Sequence, residues 1–586
     1  HHNNNSNTTT TNNNNNTNDG SVNNSLTMTS SSQTIFIAIV YTAPLNGSGN
    51  AALAKVKTMK AMGVTTMATT HRVWWSSFYP QSFVTVAQSP TTNASMATAL
   101  EGFYWNQQYK LGSAMRADGP ALDLMGPWFQ PSSWLYYWFD LNVQLQYWPL
   151  YSANRLDLAQ TLVDFVTNNV ATLKNNADEY TDAIGIGGAC PYTFGCSIGR
   201  LGDGSPMVGD GMWIMHNLYQ HASRSANTTM MEMTVLPLLQ AQTNMYLQST
   251  FMQDGEYHLP PSNSPEYPSQ NDKGGDANYD IALFTWGLST LIDLSLTFGK
   301  PLLPQWTDVL DKLTAGPQNE NGFMVNNLTG FDQSHRHFSH LFQIYPLRVI
   351  AGDEANRTLA LTSLDRWTNL TCGGGTCPNG FTYDGASSMS TLMNRPVAAM
   401  GNLTTFLRSG KVRMSTMYSE GENPCIESPL AAANSLQEAL MDSWGGRIRI
   451  FSGLPATWTD AAFIDMLAEG AFEVSAKRSN NTTQFVQIRS LRTNAVDVVC
   501  DTNMRGMLYL VPTPSTFTLQ QFGNGTFVVS GLSENDVVLV SNQPPPQQQQ
   551  QQQLSTSTKT TKPKTTTTKS WSIDALPGDE SEYNWW

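Results

Sequence analysis

The segment ALFTWGLSTLIDLSLTF, residues 282–298, is apolar on nearly every side before it stops at Gly299. A helix of that composition has no face to offer water, so it must be enclosed by other elements. Residues 153–173, ANRLDLAQTLVDFVTNNVATL, behave differently: Leu156, Ala159, Leu162, Val163, Val166, Val170 and Leu173 recur at helical spacing and mark a single buried face. Helical stretches of these two kinds dominate residues 99–444, about eleven or twelve in all. Wholly buried helices surrounded by one-faced ones form two concentric rings, so the pattern predicts a mainly α fold, an (α/α)6 toroid whose inner helices point their ends at a central cavity. A helical solenoid is the alternative, but no repeat period runs along the chain.

After about residue 472 the pattern changes to short alternating runs, QFVQIRSL, AVDVVC, MLYLVP, TFVVSGL and DVVLVS, which predict a small C-terminal all-β domain over 472–543. Before the helices, residues 33–42 (QTIFIAIVYT) predict a strand and residues 51–62 a short helix, so 33–98 is an entry segment to a helical domain at 99–471. The ends are of another kind. Residues 1–32 are almost wholly Asn, Thr and Ser, and 544–586 open with Pro and Gln repeats and a Thr/Lys tract. Such compositions bury too little apolar surface to order themselves, so both ends are expected to be disordered tails.

Charge and cysteine content narrow the partners. A net charge of -13 with only 32 Lys and Arg leaves no basic stripe for phosphates, which argues against nucleic acid. The apolar run at residues 35–40 is far short of the ~20 residues a membrane helix needs. Two close cysteine pairs, Cys190/Cys196 and Cys372/Cys377, suit short-loop disulfides or free thiols, while Cys425 and Cys500 stand apart. Asn-x-Ser/Thr acceptors occur at Asn46, Asn93, Asn227, Asn327, Asn356, Asn369, Asn402, Asn480, Asn481 and Asn524. Together these predict a secreted or lysosomal protein, with no signal segment visible in the chain.

Four segments carry polar chemistry inside this apolar framework. SHRHFSHLFQIYPL (334–347) places His335, His337 and His340 around Arg336. Zinc ligation is disfavoured there, because no carboxylate or Cys stands beside them and Arg336 brings a permanent positive charge. The remaining readings are satisfied core histidines, or Arg336 and His337 gripping sugar hydroxyls among stacking aromatics. WFDLNVQLQYWP (138–149) holds Asp140 and Asn142 in an aromatic frame, with Asp140 alternatively a helix N-cap. LPPSNSPEYP (259–268) sets Glu266 among four prolines with no sequence-adjacent cation. In ENPCIESPLAAANSLQEALM (422–441), Glu427 precedes Ser428-Pro429, expected as an N-cap followed by a proline at the first helical position, where a carboxylate complements the helix dipole.

Taken together, the four segments resemble glycoside hydrolase family 95, the inverting α-L-fucosidases and α-L-galactosidases. The family's His-Arg-His-x-Ser-His-Leu is matched by His335, Arg336, His337, Ser339, His340 and Leu341, and its Ser-Pro-Glu loop by Ser264, Pro265 and Glu266. Its Asn-Ile-Asn stretch falls on Asp140, Leu141 and Asn142, and its Gln-Ile-Asp-Gly on Cys425, Ile426, Glu427 and Ser428, with Gly445-Gly446 expected to close the helix. The resemblance covers about residues 70–470 and implies an (α/α)6 catalytic domain that cleaves a terminal α-L-fucosyl or related sugar without metal or other cofactor. It places the general acid on Glu266, the base on Glu427 or Asp140 with Asn142 beside it, and substrate contacts on Arg336, His337 and Trp138. The chain departs from the family at Asp140, at Glu427 and at Trp138, where the family has Asn, Asp and His. It also has little of the family's N-terminal β domain, which implies a divergent and apparently truncated member.

The residues support this division of roles independently. An inverting hydrolase needs one neutral carboxylic acid and one carboxylate. A helix start favours the charged form of Glu427, whereas the proline loop lends Glu266 no such support. Two rival readings are a catalytically silent carbohydrate-binding protein, motivated by the three departures, and a polysaccharide lyase using Arg336, His337 and Tyr345.

Overall fold

The computed structural model describes residues 34–38, 48–86, 94–128, 136–187, 189–190, 208–267, 274–351, 354–372, 379–413, 418–420, 423–493, 498–502, 504, 509–510, 518–522 and 525–541. Both expected tails lie outside these residues, as do Cys196 and Cys377. The chain divides into two compact units, residues 1–81 and 82–586.

In the first unit, residues 34–38 form no strand, contrary to the expectation for 33–42. The helix predicted at 51–62 is the first half of α1, Ser48–Phe78. Gly63 interrupts it at a φ of 75°, a backbone conformation that only glycine adopts without strain, and the helix resumes beyond. Its end is apolar: Trp74 stacks on Phe78 at 5.0 Å and Trp75 on Tyr79 at 5.3 Å.

The second unit is mainly helical with a separate β region. Its helices are α2 (Ala94–Ala114), α3 (Asn142–Ser152), α4 (Leu156–Asn168), α5 (Val170–Asn176), α6 (Gly209–Arg224), α7 (Thr228–Met230), α8 (Leu236–Ser249) and α9 (Asn278–Thr297). They continue as α10 (Pro304–Lys312), α11 (Arg357–Cys372), α12 (Gly380–Leu392), α13 (Pro396–Arg408) and α14 (Glu427–Leu440). The segment apolar all round is α9, and its first half is buried on every side but one, whereas α4 buries only its one apolar stripe. Helices α3, α6, α9, α12 and α14 are neighbours in a circuit. α3 packs on α6, α6 on α9, α9 on the 3-10 turn Ser339–Leu341, α12 on α14, and α14 back on α3. Phe338, just before that turn, lies against Gly385 of α12, where a Cβ would meet its ring at 2.6 Å, and closes the circuit.

These five helices begin at one end of the circuit. Tyr279 in the first turn of α9 donates to Asp210 in the first turn of α6 at 2.6 Å. Gly380 at the start of α12 abuts Ser428 at the start of α14. Trp138, ahead of α3, packs with Cys425, ahead of α14. Their far ends also meet, through Gln437 donating to the Pro149 carbonyl at 3.0 Å and Tyr151 stacking on His221.

The β region starts earlier than residue 472. A five-stranded sheet runs in the order Met441–Trp444, Arg447–Ile450, Val498–Asp501, Thr526–Ser530, Thr518–Gln521. A six-stranded sheet runs Phe83–Thr85, Ala461–Ala468, Phe472–Ser479, Thr482–Ser490, Val537–Ser541, Tyr509–Leu510. Gly445 and Gly446, expected to close a helix, instead turn the hairpin between the first two strands of the five-stranded sheet, both at positive φ. The strand Ala461–Ala468 was hidden because its sequence AAFIDMLA is as compatible with a helix. Phe463, Val474, Val486 and Val540 share one core with Leu436 and Leu440 of α14, so the sheets brace the far end of the helical body.

Candidate active site

The starts of α3, α6, α9, α12 and α14 each bring a carboxylate to the same end of the circuit: Asp140 ahead of α3, then Asp210, Asp280, Asp384 and Glu427. The gap between α9 and α12 is filled by the histidine segment, and the Glu266 loop is tied to it. Ser339 Oγ donates to the Pro265 carbonyl at 2.7 Å and meets Ser264 Oγ at 2.7 Å. Tyr267 OH accepts from the backbone N–H of Asp332 and of Gln333, each at 3.1 Å.

That clasp brings Glu266 onto Arg336, whose Nη2 donates to its Oε2 at 2.5 Å, with His337 Nε2 at 3.5 Å from the same oxygen. The other ring nitrogen of His337, Nδ1, lies 3.8 Å from Asp140 Oδ1. Four of the predicted site residues therefore converge, and one imidazole separates two carboxyl groups. Asp140 is not the cap of α3: the helix begins at Asn142, which is half-buried, and Leu141 occupies the cap position without a side-chain bond. Freed from that role, Asp140 is 8% exposed, and its Oδ1 is buried without a hydrogen-bond partner among the described residues.

The two carboxyls are driven apart in acidity. Burial, and then the charge of Glu266, push Asp140 well above the usual carboxylate range against the pull of Arg336. Glu266, 43% exposed, is held down to about 2 by the hydrogen bond from His337 and by Arg336. This corrects the expectation that no cation supports the charge of Glu266. Arg336 is 70 residues away in sequence and adjacent only in the fold.

The three histidines divide. His340 stacks on Phe331 at 4.2 Å and is buried, which lowers it to about 3. His335 lies face to face with His337 at 5.0 Å, and its carbonyl accepts from Trp367 Nε1 and Thr371 Oγ1. Only His337 of the three reaches the carboxylates. Among the described residues no group of three or more His, Cys, Asp or Glu could hold a metal ion.

Glu427 belongs to a second polar group at the same end. It is the first residue of α14, not the residue before an N-cap: Ile426 caps the helix and Ser428-Pro429 lie within the first turn. Glu427 is 0% exposed. Its charge acts on Lys110 of α2 and on Asp384 of α12. Trp138 is the link between the two groups, since it packs on Leu124, Met125 and Cys425 two residues before Glu427. Lys110, Asp210 and Asp384 were not legible as site residues from sequence. Their one signal is a charged residue inside an otherwise apolar helical stretch, GFTYDGASSM for Asp384 and DGMWIM for Asp210.

Residues 84–368 match the model of the glycosyl hydrolase family 95 catalytic domain. That span, just under half of the chain, includes Asp140, Glu266, Arg336 and His337, while α12, Glu427 and the β region lie beyond it. No curated protein matches the chain. Among solved structures, a human-microbiome protein assigned as a kojibiose phosphorylase is similar with a TM-score of 0.55 at 12% identity, over 85% of this chain and 68% of that one. That likeness shows a shared fold. A Streptomyces avermitilis alpha-L-rhamnosidase complexed with L-rhamnose is similar over 70% of this chain and 38% of its own, with a TM-score of 0.39 at 11% identity. The matched span thus carries Asp140 just ahead of α3, and Glu266 with the Arg336–His337 pair on the loops that join the circuit.

Proposed function

We propose that the chain hydrolyses a terminal α-L-fucosyl or related sugar with inversion, on an (α/α)6 toroid whose inner helices are α3, α6, α9, α12 and α14 with the histidine segment. The observation that carries this reading is the convergence of Glu266, His337, Asp140 and Arg336. Glu266 is the general acid and Glu427 the base. Deep burial and then the like charge of Glu266 disfavour Asp140 as a carboxylate, which argues against Asp140 as the base. Trp138, Asn142, Arg336 and His337 hold the sugar and its water.

Glu266 has to gain a proton for this role. A sugar seated over its exposed face removes water, and sugar hydroxyls compete for the guanidinium of Arg336. Both changes raise its proton affinity. In a carbohydrate-binding protein without turnover, the Arg336–Glu266 pair instead stays closed and the acid stays ionised. Aryl α-L-fucoside and α-L-galactoside decide between the two readings: release of the phenol with the β-anomer as first product supports inverting hydrolysis, and saturable binding without release supports the silent protein. Secretion is proposed from the acceptor sites, since Asn227, Asn327, Asn369 and Asn480 are exposed. A mass loss on enzymatic deglycosylation of secreted material tests it.

A further inference from the structure

Lys110 is a buried lysine in the core of the helical body, 4% exposed, and hydrolysis as proposed does not use it. The packing of α2 on α14 gives its direction. Gln437 Nε2 of α14 donates to Tyr104 OH of α2 at 3.3 Å, and Glu101, one turn earlier in α2, accepts from the Val86 N–H at the strand Phe83–Thr85 of the sheet that braces the far end of α14. The two helices therefore run antiparallel, and Lys110 lies further along α2, toward the start of α14. From the opposite neighbour, α12, comes Asp384, 2% exposed. The starts of α12 and α14 touch at Gly380 and Ser428, and Ser435 Oγ donates to the Asp384 carbonyl at 3.2 Å, which fixes the parallel register. Both carboxyl oxygens of Asp384 are buried without a hydrogen-bond partner among the described residues.

We propose that Lys110 is a positioning residue that keeps the buried Glu427 charged and oriented, and that Asp384 opposes it as a neutral neighbour. This rests on the reading of Glu427 as the base. A carboxylate with no solvent exposure persists only if a cation or hydrogen bonds compensate its burial. Lys110 supplies the cation, and the pairing is mutual: burial lowers Lys110 to about 7 while Glu427 pulls it back up. Asp384, which burial and Glu427 both push well above its usual range, stays protonated and adds no second negative charge. Among the described residues, the other charged groups on or just ahead of the helices packed against α14 include Glu101 of α2, bonded to Thr85 and Val86 toward the far end, Asp140 ahead of α3, and Arg408 at the end of α13, which is exposed.

Two isosteric changes separate the effects. Lys110→Met removes the cation, so Glu427 ionises less readily, and the acidic limb of kcat/KM against pH moves up by about one unit or more. Asp384→Asn removes a potential like charge, and the same limb stays in place or moves down. An acidic limb unmoved by Lys110→Met, or moved up by Asp384→Asn, overturns the proposal. A second measurement needs neither turnover nor a Lys110 variant. In protein labelled at the lysine side chains, NMR titration should show one lysine near neutral pH, and Glu427→Gln should lower that titration further. If that lysine is unaffected by Glu427→Gln, the pairing is wrong. If the pairing holds while Glu427→Gln keeps full turnover, the base assignment fails and the electrostatic pair stands.

Discussion

Glu266, Asp140 and Glu427 are three carboxyls in three environments, and the proposed mechanism assigns their roles from those environments. Glu266→Gln keeps the shape but cannot donate a proton, so glycosides with poor leaving groups should lose ~10²–10⁴-fold in kcat, and activated aryl glycosides much less. Comparing a natural oligosaccharide with a nitrophenyl glycoside measures the difference; equal activity of the variant on both would exclude Glu266 as the acid. For the base, Glu427→Gln should be inactive on both substrate types while Asp140→Asn keeps most of the rate, because burial and the charge of Glu266 disfavour the carboxylate form of Asp140. The reverse pattern transfers the base to Asp140. His340 supplies a stability prediction. Its folded value of about 3 lies below the usual 6.5, so from about pH 6.5 downward the unfolded chain binds a proton that the folded chain refuses. His340 therefore costs ~1.4 kcal/mol of stability per pH unit in that window. His340→Phe preserves the stack on Phe331, and urea unfolding at pH 7, 6 and 5 should show a shallower acid loss than in the parent.

At the scale of elements, the decisive feature is how closely the helix starts approach one another. α12 and α14 meet at Gly380, where a Cβ would lie 2.6 Å from Ser428 Cβ and 2.9 Å from a ring carbon of Phe406. Neither neighbour is the free end of a flexible chain, so Gly380→Ala must part the two helices. Overpacking of this kind costs about 1–3 kcal/mol. It also displaces Glu427, one residue from the contact. The expected result is a lower urea midpoint with an unchanged slope, together with a fall in kcat larger than the rise in KM. A stability loss with untouched kcat would mean that the base tolerates movement of α14.

Across the second unit, the candidate active-site end and the β region lie at opposite ends of the same helices, and the sheets share their core with the far halves of α2 and α14. Pairing of Phe83–Thr85 with Ala461–Ala468 joins the start of the second unit to its late part. The chemistry proposed for the open end is carried by carboxyl, imidazole and guanidinium groups. Extended dialysis against a strong chelator should therefore leave both turnover and thermal midpoint unchanged. Loss of activity restored by a stoichiometric divalent ion would overturn the sugar-clamp role of Arg336 and His337.

The sequence by itself determined the helical body, the enclosed helix α9, the one-faced α4, most C-terminal strands and the four polar segments. Each of these is written in contiguous residues, where periodicity and turn chemistry act locally. It went wrong where local signals were ambiguous: Ser428-Pro429 marked a helix start two residues late, Gly445-Gly446 looked like a helix stop and is a hairpin turn, and AAFIDMLA showed no strand signature. What only the tertiary structure decided is the electrostatics. Arg336 reaches Glu266 across 70 residues, His337 stands between Glu266 and Asp140, and Lys110 and Asp384 flank Glu427 from helices far apart in the chain. A carboxyl takes its acidity from burial and from the charges within a few ångströms of it. Those neighbours come from separate segments, and only the closing of the helices against one another assembles them.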